Sequence, residues 1–127
     1  TNVDRVKLYL DGTEVGSATG LTAITGSFAS SSIGSNSDAG AFWKGNIDEV
    51  TLFNKELDQT EVTNLYNNGL PFNPKPLANM IGYWKMGDGG IVGDPIATYP
   101  TIVDETGNNN GTMTNMTSTD FQADVPE

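Results

Sequence analysis

Cysteine and histidine are both absent from the 127 residues. Without cysteine no disulfide can staple the fold, so stability must come from the core itself. Without either residue, Ser–His–Asp and Cys–His nucleophilic catalysis are excluded, as are transition-metal sites built on imidazole or thiolate. Bases are scarce: six Lys and Arg stand against 16 Asp and Glu, for a net charge of −10. Phosphate backbones are bound by clustered bases that displace counterions. Here the bases are scattered, so nucleic acid and anionic membrane are poor partners. No apolar run approaches the roughly 18 residues of a spanning helix, and no membrane insertion is expected. No signal peptide opens the chain either. Thr1 falls inside a strand pattern, as expected of a processed product or a piece of something longer.

What the chain does contain is Gly, Asn, Ser and Thr in quantity, with 36% hydrophobic residues spread in short runs. That mixture suits one domain of short strands joined by many turns. Residues 3–10 alternate: Val6, Leu8 and Leu10 share one face, Arg5, Lys7 and Tyr9 the other. Asp11-Gly12 supplies the two positive-φ positions of a type I′ turn. With that turn Leu10 pairs with Thr13, Tyr9 with Glu14 and Leu8 with Val15, which sets two apolar side chains on one buried face. Further strands are expected near 21–28, 31–36 and 41–53, then at Met80–Met86 and Thr112–Met116.

One short helix near 58–68 interrupts the strands. Asp58 can cap it, with Glu61 as the reciprocal partner of a capping box and Leu57 and Val62 as a hydrophobic staple. Gly69 is the expected stop. All six prolines lie beyond Gly69, three of them within 70–77, which predicts an extended linker over 70–79.

The run Gly45-Asn-Ile-Asp-Glu-Val-Thr-Leu-Phe53, followed by Asn54, Leu57 and the Leu65-Tyr66 end of the helix, resembles the closing section of laminin-G-like, concanavalin A-like jelly rolls. The Leu-Tyr-Leu-Asp-Gly-Thr-Glu-Val-Gly hairpin ahead of it also resembles that family, so the likeness covers about residues 3–69. Ile81-Gly-Tyr-Trp-Lys-Met-Gly-Asp-Gly89 and Val103-Asp-Glu-Thr-Gly-Asn-Asn-Asn-Gly-Thr-Met113 look like the opening of the same fold. The resemblance therefore implies an all-β, antiparallel jelly-roll β-sandwich. It divides into a closing part at 1–69, a linker at 70–79, and opening-like strands at 80–127 that complete this or a neighbouring sandwich. An end followed by a beginning is similar to surface and tail proteins of phages and microbes, which implies an extracellular or virion-surface location.

No catalytic residues are expected. Adjacent carboxylates such as Asp48 and Glu49 point to opposite faces of a strand and cannot flank one glycosidic bond. The possible cofactor is calcium, with Asp104, Asn108 and Asn110 as ligands. An EF-hand register fails there: with Gly111 at position 6, positions 1 and 12 are Thr106 and Thr117, neither a carboxylate. The other reading of that run is an Asx-stabilised turn. Trp43 is the candidate carbohydrate platform, set against a place in the core. Trp84 is expected in the core. Asn110 and Asn115 fit the N-glycosylation pattern. Val3, Val6, Leu8 and Leu10 form the candidate assembly strand. The expected function is a non-catalytic structural module of a microbial filament, fibril or virion appendage. Its partners would be copies of itself or neighbouring domains, joined head-to-tail by strand complementation. The alternative is a lectin-like adhesion module that binds glycans.

Overall fold

The computed structural model describes residues 5–21, 31–36, 40–70, 72–75, 77–86, 99–117 and 120. Asp11 and Gly12 take φ values of 49° and 73°, as a type I′ turn requires, and fold β1 (Arg5–Leu10) onto β2 (Thr13–Thr19). Leu10 pairs with Thr13 and Tyr9 with Glu14, as the turn predicts. The next expected pair does not form. Leu8 faces Gly16, Val15 is the extra residue of a bulge, and the ladder continues through Lys7–Ser17 and Val6–Ala18. A bulge of this kind shifts register and adds local twist, and hydrophobic alternation alone gives no sign of it.

The apolar face of the hairpin also departs from expectation. Val6, Leu8 and Leu10 were expected to face a core, yet Leu8 and Leu10 are each 63% exposed and Val6 is 56% exposed. The reason is that β1 and β2 form a sheet of only two strands, and nothing among the described residues covers its apolar side. Val3 lies outside the described residues, as does all but Leu21 of the strand expected at 21–28.

The helix is legible in detail. In α1 (Gln59–Tyr66) the Glu61 N–H donates to Asp58 Oδ1 at 2.8 Å, and the Asp58 N–H donates to Glu61 Oε2 at 3.1 Å, closing the capping box. The helix stops earlier than expected. Asn67 and Asn68, at φ 43° and 58°, turn left-handed before Gly69 is reached, and Asn67–Gly69 make a single 3-10 turn. Asparagine tolerates that region better than other side chains. The hairpin turn packs on this helix. Gln59 Nε2 donates to the Gly12 carbonyl at 2.7 Å, and a Cβ added to Gly12 would lie 2.9 Å from Tyr66 Cδ1.

In the later part of the chain β3 (Val50–Phe53) pairs antiparallel with β4 (Met80–Trp84). The strand expected from 41 onward begins only at Val50, because Glu49 is left-handed at φ 49° and its N–H donates to Asp48 Oδ1 at 3.0 Å. Ahead of it, the segments expected as strands at 31–36 and 41–49 meet only in an isolated Ser35–Phe42 bridge. β5 (Thr101–Ile102) pairs with β6 (Gly111–Thr112), a far shorter strand than expected at 112–116. Asn115, at φ 57°, is incompatible with its continuation.

The class is therefore all-β and antiparallel with one short helix. Its described strands form three two-stranded sheets, and a jelly roll of two stacked sheets is not formed among the described residues. Two compact units result: Thr1–Gly45 with Asp58–Leu70, and Asn46–Leu57 with Pro71–Glu127. In the second of these units β3 stands with β4. Within 70–79, Pro74 is fully buried, and its carbonyl accepts the Leu77 N–H at 2.8 Å.

Two substitutions check this arrangement by chemical denaturation of the dilute chain. Asp58→Ala removes the helix cap and should cost about 1 kcal/mol. Leu8→Ala acts on an exposed side chain and should cost under about 0.5 kcal/mol; a loss of several kcal/mol there would mean the hairpin face is covered.

Candidate functional site

Asp104 is the centre of the later unit. It is 1% exposed, and its carboxylate collects donors from three directions. Oδ1 accepts the N–H groups of Tyr83 and Thr106, both at 2.9 Å. Oδ2 accepts the Thr106 hydroxyl at 2.6 Å, the Asn109 N–H at 2.9 Å and the Asn108 N–H at 3.3 Å. Burial alone would push this carboxyl up. The hydrogen bonds from Thr106, Tyr83 and Asn109 outweigh it and hold the group well below the usual carboxylate range. The backbone closes around it: the Gly107 N–H donates to the Asp104 carbonyl at 2.8 Å, with Gly107 at φ 83°.

The two asparagines grouped with Asp104 as calcium ligands serve the same turn. Asn110 Oδ1 accepts the Asp104 N–H at 2.9 Å, and Asn108 Nδ2 donates to the Thr106 carbonyl at 3.2 Å. No cluster of three or more Asp and Glu able to hold a metal ion occurs among the described residues. Asn109, which sequence reasoning did not single out, completes the framework. Its Nδ2 donates to the Ile81 carbonyl at 3.1 Å, and its carbonyl accepts Trp84 Nε1–H at 2.9 Å. A polar residue between two candidate ligands was the signal available for it. Trp84 lies across Gly82, where any Cβ would collide with the indole. Tyr83, 1% exposed, is the buried aromatic of the strand, and its hydroxyl donates to Glu49.

Trp43 stands in a different setting, in the earlier unit. It is 66% exposed, its N–H donates to the Gly34 carbonyl at 2.8 Å, and Gly45 sits beneath the indole edge. A Cβ on Gly45 would come within 2.9 Å of Trp43 Nε1. The preceding loop is tied by Asn36, whose Oδ1 accepts the N–H groups of Gly40 and Ala41. Of the two places open to Trp43, the exposed one is observed. The glycosylation candidates Asn110 and Asn115 are both exposed. Lys7 on the hairpin reaches Glu14 at 2.9 Å, on the polar side opposite Val6, Leu8 and Leu10.

Asp104→Asn tests the turn. The amide keeps one acceptor and turns a donor toward N–H groups, so stability at pH 7 should fall by more than about 3 kcal/mol, the worth of two hydrogen bonds to a charged group. Because the folded carboxyl is depressed, its contribution is complete above the ordinary carboxylate value of 3.8 and is lost as pH falls toward the folded one. The gap between the two proteins, measured by denaturant titration, should be constant from pH 5 to 8 and shrink steadily below about pH 4.

Comparison with known proteins bears on the first half of the chain. No curated protein and no solved structure matches the sequence. A family model of the laminin-G type does match, from residue 1 to residue 63, which takes in the β1–β2 hairpin, Trp43, β3 and most of α1. Residues 1–63 of this chain are thus similar to the concanavalin A-like lectin/glucanases superfamily.

Proposed function

We propose that the chain is a non-catalytic structural module of an extracellular surface assembly, a microbial filament or fibril or a virion appendage, which joins head-to-tail by strand complementation. The observation that carries this reading is the hairpin of β1 and β2. It presents an apolar face of Val6, Leu8 and Leu10 and the edges of a two-stranded sheet that are open among the described residues. An isolated two-stranded sheet is at best marginally stable in water, and an exposed flat edge is a template for a further strand. A strand donated by a neighbour covers both, with main-chain hydrogen bonds for the edge and side chains for the face. Donor and acceptor are different surfaces, so the contact repeats in one direction and builds rings or filaments.

Two features support leaving chemistry out, although the superfamily includes glucanases. Glu49 accepts the Tyr83 hydroxyl, and Asp104 is buried among its donors. Neither is presented to a sugar as one of a facing carboxylate pair. No cofactor enters the reading: the Asn-rich turn closes on its own amides, so calcium should leave the melting midpoint unchanged.

A second reading, glycan binding, is favoured by one feature, the exposed indole of Trp43 braced on Gly45. Aromatic faces of this kind stack on sugar rings, and an indole suits a site that is apolar on one side and wet on the other. Light scattering across a concentration series, with electron microscopy, separates the two. Under the structural reading the intact chain forms polymers, Leu8→Lys abolishes them, and Trp43→Ala leaves them intact. A chain that stays monomeric at high concentration, and loses glycan binding on Trp43→Ala, overturns it in favour of recognition.

A further inference from the structure

The open hairpin has a particular match within the sequence. Along β1, Arg5, Lys7 and Tyr9 alternate with Val6, Leu8 and Leu10. Residues 120–125 alternate in the same way, with Asp120, Gln122 and Asp124 against Phe121, Ala123 and Val125. Both runs are six residues long, and they differ in charge: β1 carries two of the six bases of the chain, whereas 120–125 carries two acids and no base. We propose that residues 120–125 of a second copy of this chain add as an antiparallel strand on the edge of β1 that is unpaired among the described residues. Residues 121–125 lie outside the described residues, and on their side the match is one of sequence.

Register follows from the two patterns. A one-residue slip would turn every apolar side chain of the added strand to the wrong face. The alignment that matches both patterns pairs five residues of each run, with Val6 against Val125, Lys7 against Asp124, Leu8 against Ala123, Tyr9 against Gln122 and Leu10 against Phe121. Each face then matches, apolar on apolar, and the cross-strand pair Lys7–Asp124 is attractive. Lys7 already meets Glu14 on the β2 side at 2.9 Å, so an acid on the other side flanks it with carboxylates. Pro126 follows at the end of the added strand, where a missing N–H is tolerated. Phe121 supplies the largest apolar side chain of the segment to the exposed Leu10. The competing occupant is the β1 edge of a second copy. That pairing gathers two Arg5 and two Lys7 on one face and yields a closed dimer in place of a chain.

This inference rests on the assembly reading, and the experiment separates their failures. Residues 118–127 are deleted, and the product is compared with the intact chain by light scattering over a concentration series. The truncated chain is expected to be monomeric. A synthetic peptide of residues 117–127 should bind it and, in excess, dissolve the polymers of the intact chain, which keeps the test valid if the truncation folds poorly. Lys7→Glu should weaken peptide binding about tenfold, equivalent to about 1.4 kcal/mol, and Asp124→Lys in the peptide should restore it. Truncated protein that still polymerises, or forms only dimers, while Leu8→Lys prevents association, overturns the donor segment and leaves the assembly reading standing. An intact chain that is monomeric throughout overturns both.

Discussion

A carboxylate removed from water must recover its hydration from the protein or give up its charge, and Asp104 recovers it chiefly from neighbouring backbone and hydroxyl groups. The later unit is organised by that requirement. Donors come from β4 through the Tyr83 N–H and from the turn through Thr106, Asn108 and Asn109. The turn is therefore fixed against the strand. Its position in turn sets Asn109 to bond the Ile81 carbonyl and the Trp84 indole, which places Trp84 across Gly82. Tyr83 is buried between the Asp104 contacts of its backbone and the Glu49 contact of its hydroxyl. Each of these groups is satisfied because Asp104 is where it is. A fully connected network of this sort fixes one arrangement, whereas a partly satisfied one would be costly.

The earlier unit is built on the opposite balance. Among its described residues the polar contacts include turn and cap bonds and the Lys7–Glu14 ion pair, while large apolar side chains such as Leu8, Leu10, Phe42 and Trp43 remain exposed. Among the described residues the fully buried side chains are Tyr83, Asp104 and Pro74, all in the later unit. Hydrophobic burial is roughly proportional to the area removed from water, so Val6, Leu8 and Leu10 contribute little until something covers them. The functional reading follows from that contrast. A hairpin whose tip is secured on α1 by Gln59 and Tyr66, and whose sheet is open among the described residues, is what the proposed reading takes as the acceptor surface.

Local chemistry was legible in the sequence wherever a few adjacent residues settle the outcome. Asp11-Gly12 dictated the type I′ turn, and Asp58 with Glu61 dictated the helix start, because both depend on backbone angles and reach across three residues at most. The Asp-x-x-Gly-Asn turn at 104–108 was recognisable for the same reason. The family likeness, carried by contiguous runs, pointed to the right class. What sequence left open is what depends on partners far along the chain. Alternation in β1 identified an apolar face but not whether a layer covers it. The bulge at Val15 and the left-handed Glu49 are set by how strands must pair, and their own side chains do not announce them.

The candidate sites divide along the same line. Asp104, Asn108 and Asn110 could be grouped from spacing alone, since liganding a cation and closing a turn need the same residue types. Which atoms face inward, and that Tyr83 brings its amide to Asp104 from 21 residues away, only the tertiary structure decided. Trp43 was equally suited to a core or a surface until the backbone placed it over Gly45. Composition by itself determined the exclusions: no imidazole, no thiolate and few bases. Exclusion needs only an inventory, because chemistry that lacks its functional group cannot be recovered by folding. Assigning a role needs distances and burial, and those are properties of the folded chain.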